Sequence, residues 1–227
     1  MKFKFTLVLP FAFLLFIETN AQATSMSSTS GGRPITVFMP RDLSNNSKEF
    51  EKIAHKMYLT PNYMPCKVDG LNEIMSLKFN IYRNEMELIK NDKIAILKKQ
   101  KGKKVKMLGI EKTYQVFEHN GKLKYFVLHN LSGEAKLLSE EIVKYYKATE
   151  PKSNYDSAKP ENFKRQNDEI FIKFKDNSFI EVPKSKKKFP LIFGEKASEI
   201  KSFMKKGKLK SNNIKDLTKI INYYNTL

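Results

Sequence analysis

Few of the side chains able to do chemistry stand in patterns that chemistry needs. Cys66 is the only cysteine, so its one reactive role would be that of a thiolate nucleophile. Such a nucleophile wants a histidine base beside it, and His55, His119 and His129 carry no local signature of one. Ser185/Lys188 and Ser202/Lys205 are among the three pairs with the Ser-x-x-Lys spacing of a serine nucleophile and its lysine. With 16 serines and 38 lysines in 227 residues, chance alone supplies about that number of matches. Glu85 and Glu87 alternate on one side of an extended run, and Glu140 and Glu141 are adjacent. Carboxylates that hydrolyse a glycoside must converge from separate elements across the substrate, so these read as exposed charges balancing lysines. Tyr145-Tyr146 and Tyr223-Tyr224 offer rings for a ligand platform, but neighbours on a strand point to opposite sides. Core packing is the better reading of them. There is no histidine-pair zinc motif, paired-cysteine set, phosphate-cradling glycine loop or Gly-x-Ser-x-Gly elbow. The sequence therefore assigns no catalytic, cofactor-binding or metal-ligating residue.

The elements that would position any site are mostly strands. Ile35 to Met39 reads as a short strand, and Ser47 caps a helix to about Tyr58, with Phe50, Ile53, Ala54, Met57 and Tyr58 on one face. From Asn72 the period becomes that of strands, over Ile74 to Tyr82, Glu85 to Ile89 and Ile94 to Leu97. Asn120-Gly121 is the pair favoured in two-residue hairpin turns. It sets Val116 opposite Tyr125 and Tyr114 opposite Val127 on one side, and Phe117 opposite Lys124 and Gln115 opposite Phe126 on the other. Both sides carry large apolar groups, which places this hairpin between two layers. Ala135 to Leu138 and Ile142 to Ala148 fit strand or helix, and Pro151 to Asn167 reads as a long loop. Asp176-Asn177 closes a second hairpin, whose direct pairing sets Phe174 against Phe179 and Phe171 against Val182. Two helices end the chain. Glu195 to Lys206 stops at Gly207, and a second, opened by Ser211 or Asn212, turns Ile214, Leu217, Ile220, Ile221 and Tyr224 inward. The fold class expected is α+β: a mainly antiparallel β body of hairpins with a C-terminal pair of α-helices.

The first residues set the compartment. Lys2 and Lys4 precede an apolar run of 13 residues, Phe5 to Ile17, and Ala21-Gln22-Ala23 supplies a small-x-small cleavage site. A bilayer span needs about 20 residues, so this is an export signal, cut after Ala21 or Ala23. The expected organisation is a signal peptide over 1–23, a Ser/Thr/Gly-rich linker over 24–34, a β-rich domain over 35–183 and a helical segment over 184–227 packed on it. No later segment is apolar enough to span a membrane.

The formal net charge is +18, and near +17 once Lys2, Lys4 and Glu18 leave with the signal. Only Arg33, Arg41, Arg83 and Arg165 are arginine; the other 38 basic residues are lysine. Base edges and phosphates are read best by the planar guanidinium fork, so specific nucleic-acid binding is not expected. A solvated basic surface, with weak contact to anionic envelope polymer, is.

Tyr58-Leu59-Thr60-Pro61 with Met64-Pro65, the run Leu77-Lys78-Phe79-Asn80-Ile81-Tyr82-Arg83-Asn84-Glu85-Met86-Glu87, and the closing Ile221-Asn222-Tyr223-Tyr224-Asn225 together resemble uncharacterised exported proteins of Bacteroidetes. The resemblance covers most of the mature chain and implies a Gram-negative envelope location, a β-rich body and a helical tail. It implies no activity. Asp156-Ser157-Ala158 is similar to the short O-glycosylation acceptor pattern of that phylum. The expected function is a non-enzymatic binding or accessory module, periplasmic or secreted, without a cofactor. The alternatives are a hydrolase of envelope polymers and a basic adhesin for anionic glycan or lipid. Two convergent carboxylates in a deep cleft would mark the hydrolase; one lysine-dense face would mark adhesion.

Overall fold

A computed structural model describes residues 26–30, 33–40, 48–90, 93–151 and 157–227. The export signal expected over 1–23 lies outside them, as does Asp156. The strands are β1 Met26–Ser30, β2 Arg33–Pro40, β3 Met64–Val68, β4 Ile74–Asn80, β5 Glu85–Lys90, β6 Lys93–Leu97 and β7 Lys104–Met107. They continue as β8 Lys112–His119, β9 Lys122–Leu128, β10 Lys136–Glu140, β11 Val143–Tyr146, β12 Asn162–Arg165, β13 Glu169–Lys173 and β14 Phe179–Glu181. The α-helices are α1 Lys48–Ala54, α2 Ala197–Gly207 and α3 Ile214–Tyr224. Twelve strands form one sheet in the order β1-β2-β6-β5-β4-β3-β7-β8-β9-β10-β13-β14, and β11 and β12 form a separate pair. Every neighbouring pair is antiparallel. The fold is α+β, a mostly antiparallel sheet with two C-terminal helices. Among the described residues no helix is long and apolar enough to cross a membrane.

Alternation along β3 to β9 sends Cys66, Val68, Leu77, Phe79, Met86, Val105, Met107, Tyr114, Val116 and Tyr125 into one core. The sheet curls around it, and the curl closes at a defined point. The pairing of β9 with β10 is confined to Leu138↔Leu128 and Ser139↔Val127, which leaves the Tyr125 backbone without a strand neighbour on that side. Asn84, in the left-handed region with φ 54° at the β4–β5 turn, takes the place of one. Its Nδ2 donates to Tyr125 O at 2.9 Å, and Tyr125 N donates to its Oδ1 at 2.7 Å. An amide side chain thus imitates a strand's backbone and keeps both buried groups bonded.

Beyond β9 the sheet rolls the other way. Phe117, Phe126, Leu128, Leu138 and Phe171 form a second core on the opposite face. Phe179 of β14 closes over it, its ring 6.3 Å from Phe117 and 4.6 Å from His119 of β8. The helices cover the remaining face, burying Ile200, Leu217, Ile220 and Ile221 against Leu137, Ile172 and Phe174. Asn213 opens α3 as its N-cap, Oδ1 accepting from Lys215 N at 2.9 Å and Asp216 N at 3.1 Å.

Several local expectations change. The expected tether over 24–34 contains β1, paired with β2. The Ser47 cap lies outside the described residues; the helix runs over Lys48–Ala54 and tightens into a 3₁₀ turn, His55–Met57. Asn162–Arg165, inside the expected loop from Pro151 to Asn167, pairs with β11 as a strand. Both ambiguous stretches, around Leu137 and Val143, are strands. In the Asp176-Asn177 hairpin the register is one residue off the direct pairing, with Lys173↔Phe179 and Phe171↔Glu181. Asn177 sits at φ 67° in a three-residue loop closed by Phe174 N to Ser178 O, and the odd loop length shifts the pairing. Phe171 and Phe179 therefore share one face while Phe174 joins the helices. At the end of α2 the left-handed residue is Lys208, φ 51°, not Gly207. At Gly207 an added Cβ would stand close to the Leu209 side chain, 3.0 Å from its Cγ.

Candidate functional site

The carboxylates come apart when traced to their partners. Glu87, fully buried, accepts from Tyr58 Oη at 2.9 Å and Asn80 Nδ2 at 2.8 Å. Glu141 is buried beside the first core. It accepts from Tyr114 Oη, pairs with Lys112 Nζ at 3.0 Å and meets Arg165 Nη2 at 3.3 Å. Burial, with the Glu141 charge beside it, holds the Tyr114 phenol protonated far above its ordinary range. Arg165 also bonds Asp168. Glu140, pointing to the other side of β10, pairs with Lys124 at 2.6 Å. The reading of these glutamates as exposed is thus overturned for all four: Glu87 and Glu141 are buried on interior partners, and Glu85 and Glu140 are half-buried.

Cys66 is buried in the first core, and its Sγ donates to Met64 O at 3.3 Å. Desolvation pushes the thiol up to about 11, against a smaller opposing pull from the Leu77 backbone. It stays protonated where a nucleophile must ionise. Iodoacetamide at about pH 8 is expected to leave the folded protein unmodified and to alkylate it once denatured. Intact mass measured before and after denaturant checks this; rapid labelling of the native chain contradicts it. A histidine–serine contact does occur elsewhere: Ser139 Oγ lies 2.9 Å from His129 Nε2. Ser139 is 3% exposed in mid-strand, so a substrate carbonyl has no approach to it. Burial, then the nearby Lys112 charge, lowers the His129 pKa and favours the neutral ring.

Tyr145 and Tyr146 point to opposite sides of β11. Tyr145 packs on Phe163 at 5.0 Å and bonds Glu161, while Tyr146 is 44% exposed under Lys164. Tyr224 enters the helical core, and Tyr223 stacks on Phe203 at 4.0 Å.

The outer face of the sheet around the first core is different in character. Val68, Val105 and Met107 point inward, so alternation turns Lys67, Lys104 and Lys106 outward. Lys67 stands opposite Lys106, and Lys106 opposite Thr113. These residues, with Asp69, Glu111, Leu128, His129 and Leu131, line a groove of about 480 Å³. On β10 and β13, Lys136 and Lys173 form another opposed pair on the same face. Desolvation lowers the Lys136 pKa, and the charges of Lys104 and Lys173 lower it further, which places this pair within the field of the groove. Lys106 is matched by Glu111 at 3.1 Å. Lys67 and Lys104 have no acidic partner within 4.0 Å among the described residues. Asp69 pins the rim instead, its Oδ2 accepting from Lys104 N at 3.1 Å.

Five lysines from four strands thus meet on one surface. The only local signal for them was the alternation Lys104-Val105-Lys106-Met107. No family model, curated protein or solved structure matches this chain.

Proposed function

We propose that the chain is an exported, non-enzymatic binding module of the cell envelope that holds an anionic polymer against the lysine-lined groove. The observation that carries the reading is the pair Lys67 and Lys104, neither matched by an acid among the described residues, in a groove that also takes the field of Lys136. Clustered like charges cost folding energy through their mutual repulsion, and a bound polyanion would relieve it. Export rests on the Lys2/Lys4, Phe5 to Ile17 and Ala21-Gln22-Ala23 pattern.

Two measurements test the two halves. Expressed with its own N-terminus in a Gram-negative host, the protein is expected outside the cytoplasm, beginning at Gln22 or Thr24. Exported material that keeps Met1 overturns the signal peptide. Retention of the processed protein on isolated envelope material is expected to fall with added salt as exposed charges are screened, and to fall again in Lys67→Gln/Lys104→Gln. Retention indifferent to both overturns the groove.

A further inference from the structure

We infer that the polymer held in the groove is an acidic glycan, with carboxylates borne on sugar units that also present hydroxyls, rather than a phosphodiester chain. This rests on the reading of the groove as a polyanion site and adds its chemical class. Three features of the surface point the same way.

The positive charge is spaced. Lys67 and Lys106 form one opposed pair and Lys136 and Lys173 another. Between them run β8 and β9, whose groove-facing residues Thr113 and Leu128 are neutral. Strands lie about 4.8 Å apart, so β7 and β10 are separated by about 14 Å along the sheet. A ligand bridging the pairs needs charge at intervals and neutral matter between.

The groove also contains negative charge. Asp69 and Glu111 line it beside the lysines. A densely charged backbone would be repelled by them, whereas sugar hydroxyls can donate to a carboxylate and exchange hydrogen bonds with the Thr113 hydroxyl. Among the described residues the lining holds neither arginine, for bidentate phosphate contact, nor Phe, Tyr or Trp, on which bases stack. Leu131, 70% exposed, supplies apolar contact of the kind a sugar ring face makes.

The test titrates the processed protein with four probes at one ionic strength: an oligogalacturonate, its methyl ester, a single-stranded oligonucleotide of equal charge, and phosphatidylglycerol vesicles. The oligogalacturonate is expected to bind at least about tenfold tighter than the oligonucleotide or the vesicles, with the methyl ester weaker by a similar factor. Lys67→Gln/Lys104→Gln is expected to weaken uronate binding about tenfold, with a melting temperature no lower than that of the unsubstituted protein, since the repulsion among the lysines is relieved. Lys186→Gln/Lys187→Gln, exposed residues ahead of the C-terminal helices, is expected to leave it as it was. Asp69→Asn/Glu111→Gln is expected to narrow the gap between uronate and oligonucleotide. If oligonucleotide or vesicles bind as tightly through the same two lysines, the glycan class is overturned and the polyanion groove stands. If no probe responds to Lys67→Gln/Lys104→Gln, the groove reading itself is overturned.

Discussion

Glu141→Ala is expected to destabilise the protein by about 3 kcal/mol, near the low end for breaking a buried ion pair. The Glu141 side chain is 2% exposed, whereas Lys112 and Arg165 keep 29% and 39% of theirs. Those two cations can turn to water when the carboxylate leaves, so their share of the loss is modest. The Tyr114 hydroxyl cannot, since Tyr114 is 1% exposed. Orphaned in the interior, it costs about 1–3 kcal/mol. Tyr114→Phe alone removes a hydrogen bond to a charged group, a loss of about 1.5–3 kcal/mol. The double variant Tyr114→Phe/Glu141→Ala removes donor and acceptor together and is expected to be milder than the sum of the singles by about 0.5–3 kcal/mol. Urea denaturation of the three variants measures it. Strict additivity would show that Tyr114 and Glu141 do not depend on each other, and that the contact is incidental to the edge of the first core.

That cluster also marks where sequence reading stops. Glu140 and Glu141 are adjacent, and alternation alone separates them onto two faces, one toward Lys124 and the other toward Tyr114. Which face is interior depends on β11, β12 and Arg165, and β12 lies in a stretch of low apolar content around Asn162. The Asn120-Gly121 hairpin, by contrast, was legible in full because turn chemistry and register are both local. Val116↔Tyr125, Tyr114↔Val127, Gln115↔Phe126 and Phe117↔Lys124 all pair as the turn requires. At Asp176-Asn177 the same logic failed by one residue. The Asp176 Oδ1 accepts from Ser178 N at 2.9 Å and supports a three-residue loop that the dipeptide does not announce.

The groove was the least legible feature. β3 carries Pro65, which argues against an interior strand. Pro65 pairs only with Ser76 of β4, and β7 begins to pair one residue later, at Cys66, so the missing N–H faces no strand partner. β7 is four residues long inside a lysine-rich stretch that reads equally as a solvated turn. The juxtaposition of Lys67 with Lys106, and of Lys136 with Lys173, is a property of strand order. Strand order is a long-range result of how the first core closes on Asn84 and the second on Phe179.

Phe117→Ala and Tyr125→Ala are each expected to destabilise by about 3–5 kcal/mol, although the two side chains leave the same hairpin in opposite directions. Tyr125 enters the first core, its ring 6.1 Å from Phe79. Phe117 enters the second, 6.2 Å from Phe126 and 6.3 Å from Phe179. A sheet with one wet face would lose stability from only one of the substitutions. The turn supplies the control. Asn120 and Gly121 both hold positive φ, 51° and 71°, and a Cβ on Gly121 would meet nothing within 4 Å. The cost of Gly121→Val is therefore backbone strain alone, about 1–3 kcal/mol, while Gly121→Asn is tolerated because asparagine accepts the left-handed region. Thermal and urea melts of the four variants rank them: the two aromatic losses largest and comparable, valine at the turn next, asparagine near wild type. A Phe117→Ala variant as stable as wild type would mean that Phe179 does not close over the second face, and the return roll of β10, β13 and β14 would have to be redrawn.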